Sequence, residues 1–86
     1  MARIKYTLLD FLSGGSIQSL SGTQRFLKQE ISNGFICNRE LAIEKEDFLY
    51  ECKLRFQGSE HLLKDADKLF DFYLRRKPLM EVGLAA

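Results

Sequence analysis

Histidine is the side chain whose proton changes hands near neutral pH, and His61 is the only histidine of the 86 residues. It falls in the first turn of a C-terminal helix, at the margin of that helix's apolar stripe, which predicts a solvent-facing ring. Neither an HExxH pair nor a Cys/His cluster of zinc spacing accompanies it. Cys37 and Cys52 are the only thiols. In the hairpin register argued below they are diagonal partners, about 7–8 Å apart and at or beyond the reach of a disulfide. They are therefore expected as two small buried side chains in a reducing compartment. Ser13-Gly14-Gly15-Ser16 and Ser21-Gly22-Thr23 are glycine–hydroxyl loops of the kind that can cradle phosphate. A P-loop would end in Gly-Lys-Ser/Thr, and neither does. Glu44, Glu46 and Asp47 crowd one loop without the spacing of a calcium site. With no nucleophile–base pair and no convergent carboxylates to name, the expectation is a non-enzymatic chain with no cofactor and no metal.

The elements that would carry these residues predict a small α+β domain: short N-terminal helices, a central antiparallel β-hairpin and a C-terminal amphipathic helix packed on it. Phe48, Tyr50, Cys52, Leu54 and Phe56 alternate with Leu49, Glu51, Lys53 and Arg55, the period of a half-buried strand. Phe35, Cys37, Leu41 and Ile43 share one parity, with Arg39 the charged intruder. A loop at Glu44–Asp47 sets Ile43 opposite Phe48 and puts both apolar sets on one face. Gly58 ends the second strand. Ser59–Lys77 is the predicted closing helix, with Leu62, Leu63, Ala66, Leu69, Phe70, Tyr73 and Leu74 in one stripe. Arg75, Arg76 and Lys77 suit its C-terminal dipole, and Pro78 is expected to stop it. Thr7–Asp10 resembles a capping box opening a helix through Leu12, unless Arg3–Leu8 forms a third strand. Thr23 is a candidate cap for a helix running to Ile31 or Ser32, with Asn33-Gly34 as its left-handed exit. Positions 1–78 thus read as one domain and 79–86 as an apolar tail. The expected core includes Leu41, Phe48, Tyr50, Leu54, Phe56, Leu62, Ala66, Leu69, Phe70 and Tyr73.

Thirteen Lys and Arg against twelve Asp and Glu leave a formal charge of +1, which argues against both a strongly basic nucleic-acid binder and an acidic DNA mimic. The N-terminus leads into no long apolar run, and no stretch is long enough to span a bilayer. A cytoplasmic protein without a membrane anchor is the expectation.

Two features point to binding. Phe72 lies well off the stripe of Leu62, Ala66, Leu69 and Tyr73, and the segment from Leu79 to Ala86 is apolar beyond a proline. Phe72, Leu79, Met80, Val82 and Leu84 are the candidate partner-binding residues. The function this predicts is a protein-binding module or stoichiometric inhibitor or regulator, of a kind common in phages and mobile elements, self-associating as a homodimer or other homo-oligomer. An alternative rests on element order. Helix Leu8–Leu12, helix Gln24–Ser32, Gly34-Phe35-Ile36, a hairpin and a closing helix together resemble the winged-helix class over about two-thirds of the chain. That resemblance implies a DNA-binding transcriptional regulator with Gln24, Arg25, Lys28 and Gln29 as nucleic-acid-binding residues. The acidic tip Glu44–Asp47 favours the protein-binding reading, because phosphate contact asks for Lys or Arg there.

Overall fold

The computed structural model describes residues 5–15, 17–36 and 44–85, with side chains as far as Glu81. Its elements are α1 (Leu8–Ser13), a short 3-10 turn (Gln18–Leu20), α2 (Ser21–Ser32), α3 (Lys45–Arg55) and α4 (Glu60–Ala85). No strand occurs among the described residues, so the expected α+β fold with its β-hairpin is corrected to a helical one.

The correction turns on α3. At 3.6 residues per turn, Phe48, Cys52 and Phe56 fall within an arc of about 80°, while Tyr50 and Leu54 fall on the far side. The fold uses that helical arc. Phe48, Cys52 and Phe56 are buried, whereas Tyr50 is 63% and Leu54 54% exposed, against their expected place in the core. Charge placement agrees with the helix: Glu46 and Asp47 lie in its first turn and Lys53 and Arg55 in its last, each sign at the end of the dipole that favours it. Gly58, expected to end a strand, sits just beyond α3 at φ 84°, a conformation that costs glycine little. Of the predicted first strand, Cys37 through Ile43 lie outside the described residues, Arg39 and Leu41 among them. Phe35 and Ile36 belong to the exit of α2, where the amides of both donate to the Glu30 carbonyl.

The N-terminal third follows its sequence signals more closely. Thr7 and Asp10 form a reciprocal capping box on α1, which removes the case for a strand running into Leu8. The α2 helix ends at Ser32 through Gly34 at φ 83°, whose amide donates to the Ile31 carbonyl. Thr23 is not its cap. The helix begins two residues earlier, and the Thr23 hydroxyl donates instead to Asp65 on α4 at 2.8 Å, in the interior.

The helices wrap one core in which Leu8, Leu27, Ile36, Phe48, Cys52, Leu69 and Phe70 are fully buried. Phe48 stacks on Phe70 at 4.9 Å between centroids, and Phe26 lies against Phe56 at 5.2 Å. Ion pairs fix α3 at both ends: Lys45 bridges Asp67 and Asp71 on α4, and Arg55 meets Glu30 on α2. Both aspartates accept hydrogen bonds from Lys45 and push its pKa up. Of the predicted C-terminal stripe, Ala66, Leu69, Phe70 and Tyr73 are buried, Leu62 and Leu63 are half-buried and Leu74 is exposed.

Pro78 does not stop α4, which continues to Ala85. A proline removes one helical hydrogen bond and crowds the preceding turn, so the last turns need support from outside the helix. Met80 packs against the core, and the Glu81 carboxylate accepts the Tyr6 backbone N–H at 3.0 Å. The Tyr73 hydroxyl donates to the Tyr6 carbonyl at 2.8 Å. The segment before α1 thus bridges α4 on either side of the proline, and 79–85 continues α4 as helix. No described helix is long and apolar enough to cross a membrane.

Candidate functional site

One face of α4 makes the core; a second face makes a groove. Phe72, Arg75, Arg76, Leu79 and Met80 recur at three- and four-residue steps, which aligns them along one side of a helix. Opposite them stand Tyr6, Asp10, Phe11, Gly14, Gly15 and Ile17, from α1 and its flanking segments. The open groove between has a volume of about 450 Å³ and a mainly apolar lining, within the range of ligand-binding clefts.

Each wall has an identifiable support. Gln24, expected among nucleic-acid-binding residues, is buried in α2 and spent on the loop after α1. Its amide nitrogen donates to the carbonyls of Leu12 at 3.1 Å and Gly15 at 3.5 Å, and its side-chain oxygen accepts the Ile17 N–H at 3.2 Å. These bonds hold Gly15 and Ile17 in the groove wall. On the α4 side, Arg75 lies over the Phe72 ring at 5.0 Å from its centroid, which spreads the guanidinium on the aromatic face. Tyr73, behind the wall, has its phenol pushed up to about 12 by burial first, then by Glu81, Asp10 and Tyr6. It therefore stays a neutral hydrogen-bond donor through the physiological range.

The groove is unevenly charged. The Asp10 carboxylate is committed to the α1 cap, accepting the Thr7 N–H at 3.0 Å. Among the described residues neither Arg75 nor Arg76 is paired with a carboxylate. What remains is an apolar cleft with two available guanidinium groups.

Of the predicted partner-binding residues, the fold brings Phe72, Leu79 and Met80 together along this groove, Phe72 38% and Leu79 74% exposed, Met80 half-buried. The side chains of Val82 and Leu84 lie outside those described. Arg25, Lys28 and Gln29 are also brought together, exposed on α2 around a shallow hollow with Ser32 and Asn33. Gln24, buried, does not line that hollow but borders a neighbouring one that Arg25 and Lys28 also line. With α3 helical, the hairpin that carried the winged-helix resemblance is gone. Sequence reading missed Arg75 and Arg76 as site residues by assigning them to the helix dipole. Their three- and four-residue spacing from Phe72 and Leu79 is the signal that groups them.

Among the described residues, no group of His, Cys, Asp and Glu is placed to hold a metal ion. Cys52 is a free, fully buried thiol whose pKa is pushed up to about 12 by burial and then by Glu51, so it lacks the thiolate that reactivity requires. His61 is exposed, with Nε2 3.4 Å from Asp65. Cys37 lies outside the described residues. Glu44, Glu46 and Asp47 form the exposed start of α3 rather than a hairpin tip.

No protein-family model matches the sequence, and neither the curated proteins nor the solved structures contain a match to it.

Proposed function

We propose that this chain is a protein-binding domain that acts by stoichiometric contact, with the groove between α4 and the α1 segment as its docking surface. The observation that carries the reading is the second apolar stripe of α4, which leaves Phe72 and Leu79 exposed on a concave surface built by tightly bonded walls. Exposed apolar side chains gathered in one cleft are the signature of a partner surface. The apolar lining also separates this site from a phosphate-tracking one, whose contacts are chiefly cationic and polar.

A photo-crosslinking phenylalanine analogue placed at Leu79, with a control at Lys28 on the α2 surface, tests the reading in cell extract. Crosslinks to protein from Leu79, weaker at Lys28 and unchanged by nuclease, are the expected outcome. Equal crosslinking from both positions, or adducts lost on nuclease treatment, would overturn it.

A further inference from the structure

The outer face of α3 has the complementary character. Tyr50 and Leu54 stand exposed one helical turn apart, with Cα atoms separated by about 6 Å along the axis. One turn before them, Glu44, Glu46 and Asp47 are exposed and, among the described residues, make no ion pair. The groove is concave, apolar and edged by two arginines that pair with no carboxylate among the described residues; α3 offers a convex apolar pair with acids at its N-terminal end. Amphipathic helices dock into apolar grooves through anchors at such spacing.

Charge decides how two copies would meet. A symmetric contact, groove against groove, gathers four arginines at one interface with only the cap-bound Asp10 carboxylates of the described lining to offset them, and that excess of like charge disfavours it. A contact of α3 with the groove sets acids against arginines. We propose that the partner of the groove is a second copy of this chain, whose α3 presents Tyr50 and Leu54 to Phe72 and Leu79 and whose Glu46 and Asp47 face Arg75 and Arg76. The inference rests on the groove being the docking surface. The contact is heterologous, leaving one free groove and one free α3 on each pair, so assembly grows with concentration unless its rotation closes a ring.

Sedimentation of the full chain and two variants tests it. Phe72→Ser blocks the groove, and Tyr50→Ser with Leu54→Ser blocks α3. The parent should gain mass with concentration above its 10.0 kDa protomer. Each variant alone should remain at protomer mass, and an equimolar mixture of the two should stop at a dimer, since one intact groove and one intact α3 remain. Raised salt should weaken the parent's association by about tenfold through screening of the acid–arginine contacts. A charge-reversed pair keeps the test valid if an apolar variant fails to fold. Arg75→Glu with Arg76→Glu should abolish self-association, and mixing that chain with Glu46→Lys, Asp47→Lys should restore growth of mass with concentration, because both contacts in the mixture then pair opposite charges. A monomeric parent, or a mixture that stays monomeric while the parent associates, overturns the proposal. If the α3 variant associates like the parent while Phe72→Ser does not, the groove reading survives and its occupant is not α3. If Phe72→Ser associates like the parent, the groove is not the acceptor, and the Leu79 crosslinks decide whether it binds anything else.

Discussion

Phe70 and Phe72 stand two residues apart on one helix and have opposite lives. Phe70 is fully buried, stacked on Phe48 and edge-on to Tyr73 at 5.4 Å. Phe72 borders the groove under Arg75 and is more than a third exposed. Two residues along a helix rotate a side chain by about 200°, so one ring faces the helices that form the core and the other faces away. The same side-chain chemistry therefore supplies cohesion at one position and a contact surface at the other. What separates them is phase along α4.

The largest effect belongs to the buried ring. Phe70→Ala removes an aromatic that touches α3 and its own helix, and should destabilise the domain by about 3–5 kcal/mol. Small domains are stable by only about 5–15 kcal/mol in total, so chemical denaturation should show a large shift in midpoint. A loss below about 1 kcal/mol would place the ring outside the core and dissolve the comparison.

Phase is also where the sequence was legible and where it was not. The α4 stripe through Ala66, Leu69, Phe70 and Tyr73 repeats at three- and four-residue steps, and only a helix buries all four. From that stripe Phe72 could be placed off the core, and the fold puts it there. In α3 the apolar residues at 48, 50, 52, 54 and 56 satisfy two periods at once, because every second residue includes every fourth. The alternation alone does not separate a strand that buries all five from a helix that buries three. The deciding signals were electrostatic: Glu46 and Asp47 at one end and Lys53 and Arg55 at the other, with Gly58 beyond. Pro78 misled for a different reason. Its local preference is to end a helix, and the bonds that outweigh it come from Tyr6, more than seventy residues away in the chain. The groove's far wall was hidden likewise, since nothing local in Gln24 announces that its side chain will hold a loop instead of meeting a partner.

Gln24 sharpens the comparison from the opposite wall. Gln24→Ala leaves the Leu12 and Gly15 carbonyls and the Ile17 amide without the partners they have now, a loss of about 1–3 kcal/mol. Arg25→Ala, one residue on and exposed, should change stability by less than about 0.5 kcal/mol. The pair of measurements checks that α2 is a support in which Gln24 is turned inward and Arg25 outward. Equal effects would contradict that. Gln24→Ala should also weaken any groove-dependent association, because Gly15 and Ile17 lose their tie in the groove wall, while Arg25→Ala should not.

Tyr73 tests the floor between core and groove through pH. Its folded pKa is raised from 10.0 to about 12, so in alkali the folded state holds this proton more tightly than the unfolded chain does. The stability from Tyr73 is complete below about pH 10 and is lost as pH rises toward 12. Cys52, also raised to about 12 but from 9.0, adds a loss that begins about one pH unit lower. Tyr73→Phe should cost about 1 kcal/mol at neutral pH, through the hydrogen bond to the Tyr6 carbonyl. It should also flatten the upper part of the alkaline decline in denaturation midpoint, leaving the part due to Cys52. An unchanged alkaline slope in Tyr73→Phe would show that this phenol is not held neutral by its site.

The smallest expected effect on stability is at Phe72. Phe72→Ser takes away an exposed ring over which the Arg75 guanidinium lies, and it opens no cavity because no core side chain is removed. Surface substitutions of this kind move stability by about 0.5 kcal/mol or less. Measured on dilute protomer, where association contributes nothing, the Phe72→Ser midpoint should therefore lie close to the parent's even as crosslinking and self-association through the groove are lost. That dissociation of effects is what distinguishes a contact residue from a core residue of the same chemistry. A cost of 2 kcal/mol or more, of the order expected for burying a Phe side chain, would mean that the ring is held by the fold itself and that α4 has one apolar role instead of two.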